Sequence, residues 1–77
     1  DMEMMTAELK DKMGDEFDKA FLTSMIEHHQ SAIDMSRPAA TNASHQEIKD
    51  LARAIITAQT KEVADMKQWQ KDWGYAN

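Results

Sequence analysis

The run Asp18 to Met35, DKAFLTSMIEHHQSAIDM, contains neither glycine nor proline, and its apolar residues recur at intervals of three and four. An α-helix turns about 100° per residue, so this spacing gathers side chains onto one face. Asp18, Leu22, Met25, His29, Ala32 and Ser36 fall along one line, with Phe21 and Ile33 beside it. Phe17, His28 and Met35 form the flank. The run therefore reads as helix, but its inward face mixes apolar anchors with an acid, an imidazole and a thioether. Met25 and His29 form an i,i+4 pair and Met25 and His28 an i,i+3 pair, spacings that let thioether and imidazole reach one point.

A second long helix is expected from residue 44 to 73. Ser44-His45-Gln46-Glu47 has the pattern of a capping box, in which the serine hydroxyl and the glutamate satisfy orphan backbone donors. Its inward line is read as Ile48, Leu51, Ile55, Glu62, Trp69 and Trp73, with Ala58, Gln59 and Met66 close by. Gly74 follows as a C-cap. The first long helix is read over residues 15–37, with Asp15 as N-cap. Pro38 lacks an N–H and clashes with the preceding turn, so the helix should end or kink there. Residues 39–43 then make the connection. Residues 1–13 read as a short helix or arm, with Gly14 breaking the pattern. Met2, Met4 and Met5 lead this arm as possible thioether donors.

These elements predict an all-α fold in one domain spanning residues 1–77: an antiparallel helical hairpin with a short N-terminal helix. At 77 residues the core is marginal, and without cysteine no disulfide can reinforce it. A bound metal or a second copy remains, and a homodimer completing a four-helix bundle is expected. The net charge of −5 argues against a nucleic-acid partner. No apolar run approaches the ~20 residues of a membrane span. The chain begins at Asp1 rather than at a start methionine, which reads as a processed or trimmed form, and a localisation signal is among what such processing removes.

Folding the hairpin about residue 41 brings Asp18 level with Glu62 and Met66, and Met25 and His29 level with Gln59 and Ile55. Two carboxylates inside an apolar interface must be protonated, paired or metal-bound. A protonated His29 bridging the acids, a proton shared between them, and a metal held among them all satisfy the chemistry, as does a purely structural polar network. If a metal binds, thioether selects Cu(I) and imidazole also serves Cu(II). The metal candidates are Met25, His28, His29, Met35 and Met66, with Asp18, Gln59 and Glu62 orienting imidazoles or completing the site. The Glu-x-x-His pairs of di-iron bundles do not occur, which weighs against iron. No nucleophile–base constellation or phosphate loop stands out, so an enzymatic reading has little to rest on.

GDEFDKAFLTSMIEHHQSAIDM, followed by HQEIKDLARAIITAQTKEVADMKQWQKDWG, resembles the bacterial domain-of-unknown-function 305 family. The resemblance rests on the Met-x-x-His-His core from Met25 and on Gln59, Glu62 and Met66, and it spans nearly all of residues 14–74. It implies a ferritin-like helical bundle. It also implies an association with copper binding and tolerance in the periplasm or outside the cell. The chain departs from the family pattern at Arg37-Pro38.

Overall fold

The computed structural model describes residues 2–75, with the side chains of residues 2, 3 and 5 outside that description. Among the described residues three helices follow one another: α1 (Met2–Leu9), α2 (Gly14–Asn42) and α3 (Gln46–Asp72). Helices α2 and α3 form the antiparallel hairpin, and α1 lies against α2. Among the described residues there is no strand.

The joints differ from the expected ones. The backbone of Gly14 takes φ +59°, the left-handed region where glycine carries no Cβ penalty. It therefore turns the chain into α2 rather than capping α1, which already ends at Leu9. Met13 is the N-cap of α2 and Asp15 sits in its first turn, where a carboxylate complements the helix dipole. The Ser44–Glu47 capping box does not form: His45 is the N-cap of α3, without a side-chain cap bond, and its carbonyl accepts from the N–H groups of Ile48 and Lys49.

The larger correction is at Pro38. Helix α2 neither stops at Arg37 nor gives up its last turns; it runs through Pro38 to Asn42. A proline removes one i→i−4 bond, and packing and local bonds offset that loss. Ser36 and Ala40 are buried on either side of it. Arg53 Nη2 donates to the Ala40 carbonyl at 3.2 Å, the Thr41 hydroxyl to the Pro38 carbonyl at 3.3 Å, and the Ala43 N–H to the Ala39 carbonyl at 3.3 Å. The connection shrinks to residues 43–45 and the register of the hairpin moves with it.

The end of α3 is a Schellman motif. The Tyr75 N–H donates to the Gln70 carbonyl at 2.7 Å and the Gly74 N–H to that of Lys71 at 3.3 Å, with Gly74 at φ +75°. This turn folds Tyr75 back onto the hydrophobic core, edge-on to Trp73. Its hydroxyl donates to Asp15 Oδ1 at 2.8 Å, tying the end of α3 to the start of α2.

Each long helix carries two lines of side chains at the alternating three- and four-residue spacing of a heptad, and the hairpin uses one of them. The inner seam is Leu22, Ile26, His29, Ile33, Ser36 and Ala40 on α2 against Ala52, Ile56, Gln59, Val63 and Met66 on α3. All of these are buried or half-buried. Burying Leu22, Ile33, Val63 and Met66 contributes about 1.5–3 kcal/mol each at full burial. The outer seam is Phe21, Met25, His28, Ala32, Met35 and Ala39 on α2, and Ile48, Leu51, Ile55, Ala58, Glu62 and Trp69 on α3. None of these is buried. The line expected to face inward on α3 is this outer one. Ala52 and Val63 let the helices approach, and the bulkier Ile48, Leu51, Trp69 and Trp73 remain exposed.

Candidate metal site

Near the middle of the hairpin a groove of about 200 Å³ opens between α2 and α3, lined by Phe21, Met25, His29, Glu62, Asp65, Met66 and Trp69. His29 is its polar centre. It occupies an inner-seam position and is only 6% exposed. Its Nδ1–H donates to the Met25 carbonyl at 2.8 Å, the residue one turn earlier on α2. That carbonyl can only accept, which fixes the hydrogen on Nδ1. Nε2 lies 2.6 Å from Glu62 Oε1 across the hairpin. An ionised carboxylate also only accepts, so a proton lies between Nε2 and Oε1, carried by the ring or by the acid.

The two partners sit in different surroundings. The Glu62 side chain is 54% exposed, so it reaches the ring from the groove's open edge and can turn away into solvent. Asp65, one turn on, accepts from Lys61 Nζ at 2.8 Å; that bond is the first cause of the rise in the Lys61 pKa above its ordinary value. Gln59 lies one turn before Glu62 on the inner seam. Its Oε1 is buried with no hydrogen-bond partner.

Of the residues singled out from sequence, the groove gathers Met25, His29, Glu62 and Met66. Met66 is buried and Met25 half-buried. Asp18, His28 and Met35 stand apart. Asp18 is exposed and lines a separate hollow with Phe21, Leu22, Trp69 and Trp73, so two carboxylates do not meet inside the interface. His28 is exposed, and Met35 is 72% exposed. The Met25–His28 pair therefore does not converge on the groove as the Met25–His29 pair does. His45 is exposed at the start of α3 and Met4 is exposed on α1, while the side chains of Met2 and Met5 lie outside the described residues. Asp65, also in the groove, follows Glu62 by three residues, a spacing that could have signalled it. Tyr75 was signalled only by being an aromatic residue directly after the capping Gly74.

The donor chemistry of the groove is one imidazole, two thioethers and two carboxylates, of which Asp65 is tied to Lys61 and Glu62 can move. Among the described residues, no three His, Asp or Glu side chains converge as a harder metal would want. The imidazole and thioethers fit a soft ion, provided the proton between Nε2 and Oε1 leaves with Glu62 as it turns aside. The three helices among the described residues are not long and apolar enough to cross a membrane.

A family model described as a domain of unknown function, DUF305, matches residues 1–70. Neither a curated protein nor a solved structure matches the chain.

Proposed function

The chain belongs to the DUF305 family, and from that premise we propose that it binds a transition metal, copper first, for buffering or handover outside the cytoplasm. The observation that carries this reading is that His29, Met25 and Met66 line one groove, where Glu62, the acid on Nε2, is half exposed and can move. Thioethers favour Cu(I), and a neutral imidazole nitrogen serves either copper oxidation state. Met25, His29 and Met66 would hold the ion. The bond from Nδ1–H to the Met25 carbonyl keeps the ring aimed with Nε2 toward the groove. Glu62, which meets Nε2 across the hairpin, would carry off the proton that a bound metal displaces. His28, Met35 and Asp18 lie outside the groove of a single chain. A second copy seated on the hairpin, completing a four-helix bundle, belongs to the same reading.

A second reading is a helical interaction module whose polar interior sets register without metal. The observation favouring it is that both ring nitrogens of His29 already have partners. Titration of metal-free protein with Cu(I) under a competing chelator, beside Cu(II) and Zn(II), separates the two. Stoichiometric Cu(I) binding that Met25→Ala/His29→Ala abolishes supports the metal site. Binding no tighter than to an unrelated helical protein leaves the interaction module.

A further inference from the structure

The outer seam carries a contradiction that the single chain does not resolve. It has heptad spacing along both helices, the pattern by which helices bury one another, yet the hairpin leaves it open. From Ile48 to Trp69 the α3 part alone extends over ~32 Å. With α2 beside it the face is about 20 Å wide, giving on the order of 650 Å², close to what one partner contributes to a stable interface. The chain is also extended for its length: its radius of gyration is 14.9 Å, against ~11.5 Å for a compact domain of 77 residues. The two long helices form one layer where stable domains have two, and α1 reaches only the Phe17–Phe21 end of the hairpin.

The donors follow the same division. His28 and Met35 share the outer seam with Met25 and Glu62, and all four are exposed or half-buried. We propose that a second copy of this chain seats on the outer seam, face to face, and that the pairing brings His28 and Met35 of both copies into one shared core with Met25 and Glu62. The metal-binding part of this rests on the function proposed above.

Position along the helices supports the sharing. His29 is one residue past the midpoint of α2 and Glu62 three past that of α3, offsets of roughly 2 and 5 Å. A two-fold axis parallel to the helices puts equivalent residues of the two copies level by symmetry. An axis across the helices sets equivalent residues apart by twice their offset, about 3 Å for His29 and 9 Å for Glu62. Either full-face dimer therefore keeps the two His29–Glu62 pairs near its centre, level about a parallel axis and staggered about a crossing one. The half-exposed Glu62 carboxylates become enclosed there, and such groups need a proton or a cation. Each copy supplies the same seam, so the face is complementary to itself in pattern, as a two-fold interface requires.

The test uses the metal-free full chain and the exposed seam residue Leu51, which is not itself a donor. Sedimentation equilibrium should give twice the chain mass of 8.8 kDa. Leu51→Glu should give the single mass with unchanged helical circular dichroism, and Ile48→Lys should do the same. Modification of His28 by diethyl pyrocarbonate, followed by peptide mass spectrometry, should be slower in the wild-type dimer than in either monomeric variant, by about tenfold. A monomer at all concentrations overturns the proposal. So does a dimer that Leu51→Glu and Ile48→Lys leave intact, or one in which His28 reacts as fast as in the monomer. If the dimer forms and shields His28 but takes up no copper, the docking stands and the metal reading falls. If copper binds as tightly to the Leu51→Glu monomer as to wild type, the metal reading stands and the shared site falls.

Discussion

His29 Nε2 and Glu62 Oε1 meet at 2.6 Å across the hairpin, and His29 Nδ1 is held at 2.8 Å by the carbonyl of Met25. The ring thus bridges the two long helices through one side-chain and one backbone partner. It is buried and its acid is not, so the acid is the part that can leave. Glu62→Ala removes a charge-assisted bond that is partly solvent-screened, and should lower unfolding stability by about 1 kcal/mol. Urea denaturation measures this. An unchanged midpoint would show that the pair contributes nothing to the hairpin.

Pro38→Ala restores an N–H inside a helix that already continues through that position. Interior proline costs ~3 kcal/mol against alanine, less near a helix end, and its stiffening of the unfolded chain returns up to ~1. The variant should be more stable by about 1 kcal/mol, read as a higher thermal midpoint. A lower midpoint would mean that proline's stiffness in the unfolded chain outweighs its missing hydrogen bond.

Pro38 also accounts for the difference in register between sequence and structure. A proline usually ends a helix, so the sequence predicts a turn at residues 39–43 and His29 level with Ile55. The structure sets it against Glu62, seven residues further along, or two helical turns. Nothing local announced that Ser36, Ala40 and the bond from Arg53 would carry the helix past Pro38. The hairpin itself, the short leading helix, the Gly74 cap and the polar character of His29 were legible, because periodicity and glycine placement are local signals. The choice between two adjacent heptad seams was not legible. The apolar seam with Ile48, Leu51 and Trp69 looked like the core, whereas close approach of two helices selected the seam with Ala52 and Val63.

Gly74→Ala places a Cβ on a residue at φ +75° that meets open space, so the cost is purely conformational. It should destabilise by about 1–2 kcal/mol. It should also loosen Tyr75, which the Schellman turn folds back against Asp15. Near-ultraviolet circular dichroism of the aromatic cluster reports that release. An unaltered spectrum would mean that Tyr75 is held without the turn.

Tyr75, the single tyrosine of the chain, has its pKa raised above 10.0, first by donating to Asp15, then by desolvation and by the nearby carboxylate charges. A raised value in the folded protein means that its contribution to stability is full below the unfolded value and is lost as pH rises through the folded one. Tyrosinate absorbance should therefore titrate above the free-tyrosine midpoint. Asp15→Ala should move the transition down. A midpoint insensitive to Asp15→Ala would remove this contact from the account.

The proposed metal at His29 is tested most directly by long-range ¹⁵N–¹H correlation spectra of the three histidine rings as Cu(I) is added under anaerobic conditions. Nε2 of His29 should shift strongly at stoichiometric copper while its Nδ1–H stays bonded to the Met25 carbonyl. A His29 ring that keeps its metal-free signals while copper moves only His45, or none of the three, would contradict a metal at this ring.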